Sequence, residues 1–138
     1  MYNEGMDESE VNRWLRAARN DLAMARALRN DLFYDGCAFH AQQSAEKALK
    51  GLLYELHQRP WGHSCFLLLE QISGILPADS VPPSLIDISH RLDNHYLPSR
   101  YPDALPEGIP AEQYDDELAD EAIEDAIQIL QFVQNHLP

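Results

Sequence analysis

Apolar residues recur every three or four positions along almost the whole of this 138-residue chain, and that spacing restricts it to helices. A side chain shares a helix face with those three and four places on, whereas a half-buried strand needs strict alternation. No segment alternates for long enough to be a strand. Val11, Leu15, Ala18, Leu22, Ala25 and Leu28 mark a first helix over about residues 8 to 30, capped by Asp7 or Ser9 and ended by Asn30-Asp31. Asp35-Gly36 is expected in the hinge that follows. Ala38, Gln42, Ala45, Leu49, Leu52 and Leu56 mark a second helix, which must stop before Pro60 because the residue ahead of a proline is biased away from helix.

After the turn RPWGH, Ser64 is placed to cap a short helix carrying Leu67, Leu68, Ile72 and Ile75 inward until Pro77. A fourth helix follows Pro82 and Pro83 with Leu85, Ile88, Leu92 and Tyr96 on one face, closed by Pro98. The last, about 112 to 136, has Ala119, Ala122, Ala126, Ile129 and Val133 in a three-four rhythm widened by Ile123 and Leu130. Between these two lies LPSRYPDALPEGIPA, residues 97 to 111, with prolines at 98, 102, 106 and 110, so no α-helix runs through it. A long irregular connection in a small chain is functional or disordered, and four prolines stiffen this one into an ordered strap. The expectation is an all-α, up-and-down helical bundle of four main helices plus a shorter one, with a Pro-rich strap before the last helix, as a single domain over residues 1–138.

Charge is uneven. The first hundred residues hold all ten Lys and Arg against thirteen acids, and the last thirty-eight hold ten acids and no base, which gives the net charge of −13. Such a surface repels phosphate backbones, so nucleic acid could be held only in a local basic cleft. The run Asp115, Asp116, Glu117, Asp120, Glu121, Glu124 and Asp125 reads as the solvated face of the last helix, or as a surface for a basic partner. Cys37 and Cys65 have apolar neighbours and no CxxC spacing, which suits buried thiols in a reducing compartment. The longest apolar run, Cys65 to Leu69, is too short to span a membrane, and no signal-peptide layout is visible near the N-terminus. A cytoplasmic protein is expected.

Few residues carry chemistry. Arg91 and His95, four apart, share a helix face, and a guanidinium beside an imidazole can hold a phosphate and move a proton, the minimum for cleaving RNA through its own 2′-hydroxyl. The plainer reading pairs Arg91 with Asp87 and leaves His95 as a packing residue. Arg100 and Tyr101 lie in the strap and would be held by it. No histidine pair has metal-ligand spacing, and there is no P-loop, GxGxxG or GxSxG, so no metal or cofactor is expected. The arginines at 13, 16, 19, 26 and 29 form a partial basic band, read as a solvated face paired with acids or as a contact surface.

The stretch FHAQQSAEKALKGLL, residues 39 to 53, resembles the second helix of the HEPN family (higher eukaryotes and prokaryotes nucleotide-binding domain) through Phe39, Gln42, Gln43, Glu46, Lys47 and Lys50. NDLAMARAL in the first helix, the GHS turn with His63, and YLPSRYPDALPEG follow the same order. The resemblance implies a four- to five-helix bundle, usually a homodimer, often paired with a minimal nucleotidyltransferase in a toxin-antitoxin type system. It also implies a nucleotide-contact surface including Gln42, Glu46, Lys47, Tyr96, Arg100 and Tyr101, with a nucleotide or RNA as ligand. Many members are metal-independent ribonucleases in which an arginine precedes a histidine by four to six intervening residues. Here Arg91 and His95 enclose only three, as do Arg59 and His63, which leans the expectation toward a binding module, with ribonuclease action through Arg91 and His95 as the alternative. Wide apolar stripes on the second and last helices, with Trp61 and Phe66 beside a short turn, add support for a dimer.

Overall fold

Six α-helices and one 3₁₀ turn make up the regular structure of this computed structural model, and no strand occurs among the residues it describes, 8–138. α1 spans Glu10–Asn30, α2 Tyr34–Glu55, α3 Cys65–Ser73, α4 Pro83–Asp93, α5 Pro110–Gln113 and α6 Asp116–Asn135, with the 3₁₀ turn at Pro102–Ala104. The all-α bundle with a proline-rich strap ahead of its last helix is therefore observed, with one more short helix than expected.

α2 is the central rod, touching α1, α3, α4, α5 and α6. It runs antiparallel to α1: Gly36 at its start faces Leu28 near the end of α1, and Gly51 near its end faces Leu15 near the beginning. A methyl group at Gly51 would stand 3.3 Å from Leu15, so the bare backbone there permits the approach. Buried alanines on α1, α2 and α6 (Ala18, Ala41, Ala45, Ala119, Ala122) serve the same end. Ser44 reaches the Ala18 carbonyl at 2.7 Å, and the Cys37 thiol the Ala119 carbonyl at 3.7 Å. Leu49, Leu52, Leu53, Leu68, Ile72, Leu92 and Ile129 fill the remaining core, each contributing about 2 kcal/mol of burial free energy.

Polar contacts set the angles between elements. Arg29 at the end of α1 forms a two-pronged pair with Asp120 of α6, at 2.8 and 3.2 Å. Ser64 caps α3 as expected, accepting from the Leu67 N–H at 3.1 Å. Asp93, the last residue of α4, completes that cap. Its carboxylate accepts from the Ser64 hydroxyl and the Cys65 N–H, both at 2.6 Å, and from the Phe66 N–H at 3.1 Å. The two cysteines are buried free thiols, and burial pushes the Cys37 thiol up to about 11. No described helix is long and apolar enough to cross a membrane.

The structure redraws several expected boundaries. α1 starts at Glu10 with Ser9 as cap, and Asp7, the other candidate, lies outside the described residues. Asp35 and Gly36 are not a hinge but the first turn of α2, where an acidic side chain suits the positive helix end. The hinge is Asp31–Phe33, with Leu32 at a φ of 68°. Leu67 on α3 and Ile75, beyond its end, are exposed, because the inward register of the helix is Cys65, Leu68, Leu69 and Ile72. α4 stops at Asp93, short of Pro98. His95 and Tyr96 bond back only three residues, to Leu92 and Asp93, in tight turns that keep the residue before Pro98 out of helix. The last helix is split at Tyr114–Asp115, because Asp115 caps α6 by accepting from Leu118 at 2.9 Å and the extended Tyr114 turns toward α4.

Candidate functional site

Two polar clusters flank the strap. The first is built on one face of α2. Gln42 and Glu46 are buried and fully engaged: the Gln42 amide donates to the His63 carbonyl at 2.9 Å, and the Gln43 amide donates to the Gln42 oxygen at 2.7 Å. Glu46 accepts from Lys50 at 3.0 Å and faces the His63 Nδ1 at 3.3 Å. A polar group buried on an apolar rod costs free energy unless it is bonded, and here the turn ahead of α3 supplies the partner.

From that network the surface continues outward through stacked rings. The His63 imidazole lies parallel to Tyr96, centroids 5.2 Å apart with 14° between planes. The Arg100 guanidinium sits over three rings, 4.5 Å from Phe39 and 4.8 Å from both Tyr96 and Tyr101. Its Nε donates to the Tyr96 carbonyl at 3.3 Å, and it makes no ion pair among the described residues. An exposed guanidinium held flat by aromatic faces keeps its outward edge free for an anion. Gln42, Glu46, Tyr96, Arg100 and Tyr101 thus lie along one continuous path. Lys47 turns away: its ammonium meets the buried Asp21 of α1 at 2.5 Å, beside the His40 Nδ1 at 2.9 Å.

The second cluster lies where α4, the strap and α6 meet. Arg91 does not pair with Asp87. It makes a two-pronged contact with the buried Asp125 of α6 at 3.0 and 2.8 Å, with Glu121 4.0 Å away. Its proton is held more firmly than usual, first by the Asp125 hydrogen bonds. His95 lies beyond the end of α4 and is buried, its Nδ1 2.9 Å from the Tyr114 hydroxyl. Its Nε2 is buried without a hydrogen-bond partner. Burial holds this imidazole below its ordinary pKa and pushes the Tyr114 phenol up to about 12. Arg91 and His95 nonetheless line one cleft of about 320 Å³, together with Tyr114, Pro98 and Leu105. Tyr96, expected to point into the core, is half-buried on the other cluster instead.

Phe39, His63, Tyr114 and Asp125 were not read as site residues from the sequence. Phe39 and His63 stood in motifs already noticed, but the stacking that joins them spans α2, a turn and the strap. Asp125 lay inside an acidic run taken as solvated, and only its burial beneath Arg91 distinguishes it.

The HEPN domain profile matches residues 11–136. The crystal structure of TT1696 from Thermus thermophilus superposes with a TM-score of 0.87 at 40% identity, covering 94% of this chain and all of that one. That of ST0689, an archaeal HEPN homologue, gives 0.77 at 38% identity, over 93% and 98% of the two chains. A protein from Methanocaldococcus jannaschii named "Putative toxin MJ1304" is 24% identical over 150 residues, covering 99% of this chain and 94% of its own.

Proposed function

The chain belongs to the HEPN domain family, and from that premise we propose that it is a single-domain, dimeric nucleotide-binding and interaction module. Its setting would be the cytoplasm, beside a minimal nucleotidyltransferase in a toxin-antitoxin type pair. The observation that carries the binding reading is Arg100, a cation without a carboxylate partner among the described residues, held over Phe39, Tyr96 and Tyr101 in a chain of net charge −13. Aromatic faces stack on a base and a guanidinium takes phosphate, so the two ends of a nucleotide find complementary groups side by side. Likeness to the protein named "Putative toxin MJ1304" supports the toxin-antitoxin setting.

A saturating nucleotide is expected to raise the melting temperature, and Arg100→Ala to shrink that shift. No shift with any nucleoside mono-, di- or triphosphate would overturn the reading. The dimer is favoured by Trp61 and Leu67, 72% and 60% exposed near the start of α3, a helix whose only charge is Glu70. Two acidic chains approach most easily through such a face. Sedimentation should give twice the chain mass, falling to the monomer in Trp61→Ser with Leu67→Ser.

The alternative is a metal-independent ribonuclease using Arg91 and His95, favoured by the cleft they share. Against it stand the engagement of Arg91 with Asp125 and the burial of His95. RNA breakdown in EDTA that His95→Ala abolishes would establish this alternative.

A further inference from the structure

His63 has an unusual setting. Its side chain is 61% exposed, whereas the carboxylate at its Nδ1 belongs to Glu46, 4% exposed. An ionised carboxylate only accepts, so Nδ1 carries a proton toward Glu46, and in the neutral ring the lone pair is on Nε2, away from it. The dyad is held rigidly. Glu46 is fixed by Lys50, the His63 carbonyl by Gln42, and the backbone just after His63 by Asp93. The ring itself lies flat on Tyr96, which also neighbours Phe39 and the Arg100 guanidinium.

Among the lysine and histidine side-chain nitrogens of the described residues on this face, the His63 Nε2 is the exposed one that makes no hydrogen bond. Lys47 and Lys50 are tied to Asp21 and Glu46 in ion pairs. His40 has a comparable carboxylate partner in Asp21, but its side chain is only 26% exposed and lies edge-on to Phe39. A phosphate drawn to Arg100 lies beside the same Tyr96 ring on which His63 stacks, and the imidazole is oriented by a buried carboxylate as activated histidines are.

We infer that His63 is a phosphoryl acceptor, its Nε2 taking the terminal phosphoryl group of a nucleoside triphosphate held at the Arg100 surface, with Glu46 as the positioning carboxylate. The inference rests on the nucleotide-binding reading above and adds a covalent step to it. The Nε2 lone pair attacks the terminal phosphorus, and the bond from that phosphorus to the bridging oxygen breaks. The nucleoside diphosphate leaves with the electron pair, and Mg²⁺ that accompanies the triphosphate balances its charge. The ring becomes an N-phosphorylated imidazolium whose positive charge rests at Nδ1–H, directly opposite Glu46.

The test incubates the full chain with Mg²⁺ and ATP carrying a labelled terminal phosphate, then maps the modified residue by mass spectrometry. Phosphohistidine is acid-labile and alkali-stable, which separates it from phosphoserine and phosphotyrosine. Label on His63 alone is expected, and His63→Ala, at an exposed position, should remove it while the protein stays folded. Arg100→Ala should slow labelling about tenfold, the loss for one charge-assisted hydrogen bond. Glu46→Gln should slow it by about tenfold or more at saturating ATP, where a change in binding no longer limits the rate. Label spread over His40, His57 and His90, or unchanged labelling in His63→Ala, overturns the assignment. A melting shift without any acid-labile phosphate overturns it too, leaving the binding reading standing. No melting shift at all removes both.

Discussion

Asp93→Ala is the sharpest test of how this fold holds its site. One carboxylate at the end of α4 receives the Ser64 hydroxyl and the N–H groups of Cys65 and Phe66, which are the free donors at the start of α3. Removing it strands those donors in a half-buried setting, at about 1 kcal/mol each once partial access of water is allowed. Loss of a negative charge at a helix N-terminus adds about 0.5 kcal/mol. The sum is about 3.5 kcal/mol, or roughly 10 °C in melting temperature for a chain of this size. Asp93→Asn keeps one accepting oxygen and should cost about half as much. Urea unfolding of Asp93→Ala, Ser64→Ala and the variant carrying both gives a double-mutant cycle, in which Asp93 and Ser64 should couple by more than about 0.5 kcal/mol. If Asp93→Ala unfolds within about 0.5 kcal/mol of the parent, α3 is held by its apolar face alone and the argument for a fixed His63 turn fails.

Three further outcomes follow from the same contacts. Arg91→Ala should cost about 2 kcal/mol, discounted because the guanidinium is partly exposed, since Asp125 is left buried and unpaired; adding Asp125→Ala should recover part of that loss in chemical denaturation. Because burial lowers the pKa of His95 below that of the unfolded chain, the unfolded state binds the extra proton first, so stability should fall as pH drops below about 6.5. His95→Gln should flatten that part of the stability-pH curve relative to the parent, and an unchanged slope would count against the burial of this ring. Gln42→Leu, which leaves the His63 carbonyl and the Gln43 amide without their partner, should cost about 1–2 kcal/mol in urea unfolding and leave the helix content by circular dichroism unchanged.

Helices, their order and most of their ends were legible in the sequence because they depend on short-range physics. A three-four spacing of Leu and Ala on α2, Ser9 and Ser64 at helix starts and Pro60 beyond a helix end each act within one or two turns. The family resemblance was legible for the same reason, being carried by order and spacing along the chain. What the tertiary structure alone decided were contacts between residues far apart in sequence. Arg91 could have paired with Asp87 one turn away, yet it meets Asp125 across the bundle, where a less hydrated carboxylate binds it more firmly. Tyr96 was assigned inward by extending a helical rhythm that stops at Asp93, and its ring instead bridges His63 and Arg100. Periodicity tells which face of a rod avoids water, but which distant side chains meet is set by how the rods pack, and in this chain that packing brings Glu46, His63 and Arg100 to one surface.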